Sequence, residues 1–169
     1  APGPPWTSDA PAFAENGAEI VEGKTYCDAG DISFDSAEPQ YVFEKIRNTI
    51  IHELKGNNHI ISLGGDHSVS FPVIDAYTEM YSNLHVLHFD AHADLYENFD
   101  DNFYSHASPF ARLLEKGKIK SLTQVGIRTL NTHQRMQAEK YGVQVIEMKE
   151  FDYGFLNTLS SPLYVSLDL

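Results

Sequence analysis

From residue 39 onward, short apolar runs alternate with segments of helical periodicity, and this alternation restricts the possible folds more than any other feature. Short strands that alternate with helices are typical of a parallel sheet with helices on both faces. A strand that is covered on both faces needs mostly apolar residues, and the run from Leu84 to Phe89 has four of them among six. The sequence therefore predicts an α/β fold built on a mainly parallel sheet.

Periodicity and stop signals give the approximate limits of the elements. Val42, Ile46, Ile50 and Leu54 recur at every fourth position, and Gly56 follows them as a helix stop. The predicted helices are one that begins at Pro39, then 70–81, 107–116 and 132–141, with a short one inside 149–159. The predicted strands are 59–63, 84–89, 122–127, 143–148 and 163–167, with a short strand at 19–21. Residues 1–19 and 95–105 are predicted to be loops.

Length and charge limit the classes of function. A chain of 169 residues suits one domain, and no boundary is visible inside it, so residues 1–169 are predicted to form a single domain. The net charge of −12 argues against nucleic acid as a partner, because phosphates need clustered Lys and Arg. It suits a small cationic substrate, although acidity also simply favours solubility. No apolar stretch approaches the ~20 residues of a membrane span. The single cysteine, Cys27, excludes an internal disulfide, and a reducing compartment such as the cytoplasm is the simplest interpretation.

Side chains that bind metals follow three of the predicted strands. In open α/β sheets, ligands bind outside the carboxyl ends of the strands, so these side chains are expected to share one edge. The candidate ligands are His67, Asp90, His92, Asp94 and Asp168. Imidazole and carboxylate without thiolate suit Mn²⁺, with Zn²⁺, Co²⁺ and Ni²⁺ as alternatives. Five ligands exceed what one water-holding ion needs, which suggests two ions that share a carboxylate and together lower the pKa of a bridging water.

Each part of this pattern also has a simpler interpretation. Gly64-Gly65-Asp66-His67 can be a strand-to-helix turn that Asp66 caps, and the segment from Asp90 to Asp94 can be a polar loop. His85 and His88 lie within a strand, and we interpret them as core histidines or as supports for the ligands. Arg128 is expected to brace the sheet edge through hydrogen bonds. The acidic side chains of the 95–105 loop either attract a cation or are simply solvated, so they are left out of the site.

Three motifs in order resemble those of the ureohydrolases, the family of arginase, agmatinase and their relatives. They are Gly64-Gly65-Asp66-His67-Ser68, Asp90-Ala91-His92-Ala93-Asp94 and Ser166-Leu167-Asp168-Leu169. The resemblance extends from about residue 28 to residue 169. It implies a three-layer α/β/α fold, assembly into homotrimers or hexamers, and two Mn²⁺ ions.

The resemblance also implies roles for the individual residues. His67 and His92 would each serve one ion, Asp90 and Asp168 would bridge the two ions, and Asp94 would complete one coordination sphere. A metal-bridging hydroxide would attack the guanidinium carbon of the substrate and release urea. His106 matches the loop histidine that shuttles protons to the leaving amine, so it is the predicted catalytic residue.

The loop after the second motif is most similar to agmatinases. Tyr96 follows the motif as it does there, and the segment from His106 to Phe110 matches a His-Gly-x-x-Phe pattern with Ala107 in place of Gly. The predicted reaction is the hydrolysis of agmatine to putrescine and urea. Guanidinobutyrase, guanidinopropionase, arginase and formimidoylglutamase are alternatives within the family. Outside these activities, a non-catalytic relative and a histone-deacetylase-like zinc amidohydrolase are alternatives, although the latter needs fewer ligands.

The third motif stops before its next expected ligand. In the family a second Asp follows at the position after Leu169, and a substrate-contacting Glu lies farther downstream. The resemblance also places the first strand of the fold before residue 1. We therefore expect this chain to be a fragment with an incomplete fold, and we expect the isolated chain to bind metal weakly and to be inactive. Urea release by the purified chain would contradict this expectation.

Overall fold

Four parallel strands organise the part of the chain that the structure, a computed structural model, describes, namely residues 28–168. They are β1 (His85–Phe89), β2 (Ser121–Ile127), β3 (Gln144–Glu147) and β4 (Leu163–Leu167), and their order in the sheet is β3-β2-β1-β4. The chain passes from β1 to β2 and β3 on one side and then returns to β4 on the other side of β1. The predicted parallel sheet is confirmed, and β1 and β4 flank the point where the strand order reverses.

Four α-helices connect the strands or precede them, and their limits follow the predicted stop signals. They are α1 (Pro39–Lys55), α2 (Ser70–Tyr77), α3 (Pro109–Lys116) and α4 (Thr132–Tyr141). Gly56 follows α1, while Gly117 and Gly142 end α3 and α4 in the left-handed conformation, with φ of 62° and 67°.

Helix α2 ends earlier than the predicted 81. The Thr78 hydroxyl donates to the Asp75 carbonyl at 2.7 Å, so a side chain competes for a carbonyl that would otherwise continue the helix. The backbone N–H of Glu79 donates to Ala76 instead, three residues back, which tightens the last turn.

Two other predicted elements differ from the structure. Residues 59–63 form no strand and pair with no strand among the described residues, and Ile61 and Leu63 are 78% and 94% exposed. An apolar run favours a sheet, but it becomes a strand only where a neighbouring backbone satisfies its hydrogen bonds. In place of one short helix within 149–159, the chain forms two 3-10 helices, Met148–Glu150 and Tyr153–Thr158.

The two faces of the sheet are covered unequally. Helices α2, α3 and α4 cover one face and share its core, which includes Ile74, Leu84, Val86, Phe110, Leu113, Leu122 and Ala138. On the opposite face, Phe155 from the second 3-10 helix packs on Leu87 and Val125. The β4 side chains of Leu163, Val165 and Leu167 remain 39%, 53% and 63% exposed. The expected layered arrangement is therefore present but incomplete in this chain.

The chain divides into two compact units, residues 1–33 and residues 34–169. The predicted loop at 1–19, the predicted strand at 19–21 and Cys27 lie outside the described residues. The single-domain organisation of 1–169 stays a prediction. Within residues 28–168, no helix combines the length and the apolar character that a membrane crossing needs.

A buried carboxylate joins α1, α2 and α3. Asp75 on α2 is 2% exposed, and its Oδ2 accepts from Arg47 Nε at 2.7 Å and from Lys116 Nζ at 3.0 Å. Burial alone would raise the pKa of Asp75, but the hydrogen bonds from Lys116 and Arg47 outweigh it and hold the pKa below its usual 3.8. Glu79 lies at the exposed edge of the same network and accepts from Arg47 and Lys118.

We predict that Asp75→Asn lowers the free energy of unfolding by about 2 kcal/mol at pH 7, the cost of losing hydrogen bonds to charged groups. The depressed pKa contributes stability above pH 3.8, and this stability is lost as the pH falls through the lower folded value. Denaturant unfolding of the unaltered protein and of Asp75→Asn should therefore show a smaller difference in the free energy of unfolding at pH 3 than at pH 7.

The matched control is Glu79→Gln, which removes an exposed partner from the same network and should cost less than about 0.5 kcal/mol. Equal losses from the two substitutions would contradict a special role for the buried carboxylate.

Candidate metal centre

The carboxyl ends of β1 and β4 bring two aspartates from distant parts of the sequence together. Asp90 follows β1 directly, and Asp168 follows β4. The backbone N–H of Asp168 donates to the Phe89 carbonyl at 3.0 Å, which continues the pairing of the two strands beyond their ends. In an open parallel sheet this switch point is where ligands bind.

Strand β2 approaches Asp90 from the other side through Gly126. This glycine has φ of 92°, and a Cβ there would lie 3.3 Å from the Asp90 carbonyl oxygen. The pairing with β3 shifts register between Val125 and Ile127, so the irregularity is centred on this residue. The backbone N–H of Asp90 donates to the Val125 carbonyl at 3.2 Å. A glycine is required here by both the backbone conformation and the close approach.

A short 3-10 helix, His67–Val69, places the first candidate ligand. The Asp66 carboxylate caps it by accepting from the backbone N–H of Ser68 at 2.9 Å, so the interpretation of Asp66 as a cap is confirmed. At Gly64, a Cβ would lie 2.6 Å from a Val69 methyl carbon, so the preceding turn packs too tightly for a side chain. The His67 imidazole lies at the sheet edge, where its Nδ1 contacts Asp94 and Asp168.

The structure gathers four of the five predicted ligands around one point. His67 Nδ1 lies 2.6 Å from Asp94 Oδ2, 3.6 Å from Asp168 Oδ2 and 3.7 Å from Asp90 Oδ2. Ligand atoms of these four residues all lie within 4.8 Å of one another. Asp94 adopts a left-handed backbone with φ of 49°, which is uncommon for a residue other than glycine and costs energy.

The other two predicted site residues lie beside this group. His92 is outside the cluster of four, but its Nδ1 lies 3.2 Å from Asp90 Oδ1, and its backbone N–H donates to the same oxygen at 2.8 Å. Its side chain is 62% exposed. His106 is exposed and lines the same cleft of about 680 Å³ as His67, His92, Asp94 and Asp168.

The charges of the cluster act on one another. Burial would lower the pKa of His67, but the hydrogen bond to Asp94 and the nearby carboxylates outweigh it and raise the pKa above 6.5. Burial would raise the pKa of Asp90, but His88, the His92 backbone N–H and the nearby imidazoles lower it to about 2. Asp90 therefore stays ionised throughout the physiological range.

These residues fit a divalent metal ion. Asp90 Oδ2 is buried and has no hydrogen-bond partner among the described residues, although it belongs to an ionised carboxylate. A buried, charged oxygen without a donor is costly unless a cation compensates it. The imidazole nitrogen and carboxylate oxygens around it are the ligand types that Mn²⁺ and similar ions accept.

Two residues near the cluster have contacts that the sequence patterns did not indicate. Ser166 Oγ lies 3.4 Å from His67 Nε2, and the Gln124 amide contacts the fully buried His88. Gln124 on β2 and Ser166 on β4 are the register partners of His88 on β1, so the two residues lie beside His88 on its neighbouring strands. Only the strand order and register, which the sequence does not state, would have identified them. The interpretation of His88 as a buried histidine is confirmed.

The sequence pattern of the arginase family matches residues 8–169. The chain belongs to this family. It is similar to the mitochondrial arginase of Medicago truncatula, with 36% identity over 178 residues that cover 97% of the chain and 53% of that protein. It is also similar to the N(1)-aminopropylagmatine ureohydrolase of Thermus thermophilus, with 38% identity over 129 residues, 73% of the chain and 43% of that protein.

The fold of this arginase family chain also matches solved structures. The formimidoylglutamase of Bacillus subtilis superposes with a TM-score of 0.80 and 26% identity, over 95% of this chain and 55% of that one. The chain spans about half the length of the curated relatives that it matches. These relatives are named arginase, N(1)-aminopropylagmatine ureohydrolase and formimidoylglutamase, so family membership alone leaves the substrate open.

We predict that Asp94→Asn lowers the pKa of His67 in the metal-free protein, because it removes the negative charge of its closest partner. NMR titration of the His67 ring would measure this change, and Glu97→Gln, in the neighbouring acidic loop, is the control that should leave the pKa of His67 unchanged. Equal pKa values of His67 in all three proteins would contradict the assigned contact.

We further predict that Mn²⁺ affinity falls as the pH falls through the raised pKa of His67. A raised pKa favours the imidazolium, and a ring nitrogen binds a metal only after it has lost its proton. Calorimetry in buffers of different ionisation enthalpy would detect the released proton. Affinity that stays constant from pH 8 to pH 6 would contradict His67 as a ligand.

Proposed function

We propose that this protein is a two-manganese hydrolase that cleaves the guanidinium group of a small cationic substrate and releases urea. The observation that carries the proposal is the cluster of His67, Asp90, Asp94 and Asp168 at the strand switch point of an arginase family member. His67, Asp90, His92, Asp94 and Asp168 would hold the ions. When bound, a pair of divalent ions lowers the pKa of a water molecule and supplies hydroxide at neutral pH.

The contacts of Asp90 support two ions rather than one. Its Oδ2 is directed toward His67, 3.7 Å from Nδ1, while its Oδ1 lies 3.2 Å from His92 Nδ1. The two oxygens of Asp90 thus lie near different candidate nitrogen ligands, His67 on one side and His92 on the other. Asp90 would therefore be placed to hold both ions.

The lining of the cleft supports agmatine as the substrate. Among the described residues that line it, none is Lys or Arg, so no fixed cation is present for a substrate carboxylate. Agmatine has no carboxylate, and its charges are positive. The carboxylates of the cleft and the net charge of −12 favour such a dication.

Arginine is the second candidate substrate, because relatives that match 97% of the chain are named arginases. The amide of Asn131 lies in the same cleft. One of its two N–H groups donates to the Tyr96 hydroxyl, and the other is a neutral donor for an amino acid end. Urea release from agmatine and from arginine by the Mn²⁺-loaded protein that contains this chain would separate the two.

A higher kcat/KM for agmatine than for arginine supports agmatine as the substrate. Hydrolysis of arginine alone would contradict it and would make arginine the substrate. If the loaded protein releases urea from none of the family's substrates, the non-catalytic alternative is supported.

His106 is proposed to donate a proton to the leaving amine. It lines the cleft and remains accessible, with the Phe99 ring against it at 5.9 Å between centroids. Loss of a general acid typically costs a factor of about 10²–10⁴ in rate. We predict that His106→Asn lowers kcat by about 10²-fold or more and leaves Mn²⁺ content unchanged.

The control is His52→Asn on the exposed surface of α1, which should alter neither kcat nor metal content. A kcat for His106→Asn close to that of the control would remove His106 from the mechanism. Assembly into a homotrimer or hexamer and a cytoplasmic location remain predictions. Size-exclusion chromatography with light scattering would test the assembly.

A further inference from the structure

We propose that Gln124 and His88 are positioning residues that hold the Asp90 carboxylate for the metal ions. The inference rests on the proposed metal-dependent function, and it concerns two residues that are not themselves ligands. Both are fully buried and lie opposite each other on β2 and β1. They form a chain of contacts that runs from the Ala93 carbonyl through Gln124 and His88 to Asp90.

The orientation of the Gln124 amide is fixed by a backbone carbonyl. Gln124 Nε2 donates to the Ala93 oxygen at 2.6 Å. The flipped amide would place two oxygens against each other at this distance, which is strongly repulsive. The observed orientation leaves Gln124 Oε1 without a partner among the described residues. This costs less free energy than the repulsion between two oxygens in the flipped amide. The nitrogen therefore faces both Ala93 and His88.

The orientation of this amide fixes the tautomer of His88. Gln124 Nε2 lies 3.1 Å from His88 Nδ1 and has a second hydrogen to donate, so Nδ1 must be the acceptor. A neutral imidazole that accepts at Nδ1 carries its hydrogen on Nε2. His88 Nε2 is thus an N–H donor and has no lone pair for a metal. This excludes His88 as a ligand, although His67, His88 and Asp90 are close enough together to hold an ion.

The Nε2–H of His88 faces the metal site. Nε2 lies 3.2 Å from Asp90 Oδ2, although the contact is off the direction of a well-formed hydrogen bond. The ring has little freedom to move away, because Phe110 packs on it at 4.3 Å and His67 at 4.9 Å between centroids. A fixed N–H dipole beside one carboxylate oxygen restricts rotation of the carboxylate and leaves its remaining lone pairs for the ions. Partners of this kind typically change metal affinity by about 10–100-fold.

The test compares four substitutions in the protein that contains this chain. His88→Phe keeps a ring but removes the N–H, and Gln124→Met keeps the approximate volume but removes the amide donor. His88→Gln restores an N–H donor near the position of Nε2. The matched control is His85→Phe, at the start of the same strand, where the lost contact is the 2.7 Å hydrogen bond between Nδ1 and Ser121 Oγ.

We expect the Kd for Mn²⁺, measured by calorimetry, to rise about 10–100-fold in His88→Phe, to rise in the same direction in Gln124→Met, and to recover in His88→Gln. His85→Phe should not change it. Equal effects of His88→Phe and His85→Phe, or no recovery in His88→Gln, would overturn the proposal. If the unaltered protein binds no Mn²⁺, the proposed function fails instead.

A second measurement does not depend on the variants or on metal. In the ¹⁵N spectrum of the unaltered, metal-free protein, His88 should show an unprotonated Nδ1 and a protonated Nε2. The reverse tautomer, or a proton on both nitrogens at pH 7, would overturn the proposal even if every variant failed to fold.

Discussion

The pairing of β1 with β4 is the constraint on which the candidate site depends. Because the strands are parallel, their carboxyl ends meet at one edge. The strand order reverses between them, and such a switch point is where an open sheet binds ligands. Asp90 and Asp168 lie close together only for this reason. The remaining ligand groups are fitted to this pair: the 3-10 turn brings His67, and the bulge at Gly126 lets β2 approach Asp90 without a side chain in between.

This arrangement is costly in the absence of a cation. Three carboxylates surround one imidazole, and Asp94 has an unfavourable backbone conformation. A buried oxygen of Asp90 accepts no well-formed hydrogen bond from the described residues, although the His88 N–H lies beside it. The nearby carboxylates raise the pKa of His67, because a proton on the imidazole would balance part of their negative charge. A bound ion would replace that proton. Protons and metal ions are thus expected to compete for the His67 imidazole and the carboxylates around it.

The sequence predicts those features that depend on local chemistry. The glycine stops after α1, α3 and α4 and the strand that begins at Leu163 agree with the structure, because caps and apolar runs are local signals. The sequence-based prediction is wrong where the outcome depends on a contact partner. Residues 59–63 are apolar but pair with no described strand. Helix α2 ends early because the Thr78 hydroxyl donates to the Asp75 carbonyl. In the site, the motifs predict the ligand types, whereas the role of Gln124 depends on strand register, which no motif contains.

The tautomer of His88 decides which imidazoles near Asp90 can bind an ion. If His88 had a free lone pair on Nε2, then His67, His88 and Asp90 could hold an ion together. With an N–H on its Nε2, His88 instead fixes Asp90, and the available nitrogen ligands are His67 on one side of that carboxylate and His92 on the other. Each nitrogen faces a different oxygen of Asp90. The hydrogen bond from Gln124 thus keeps the His88 imidazole out of the proposed ligand set and leaves it beside Asp90 as a positioning residue.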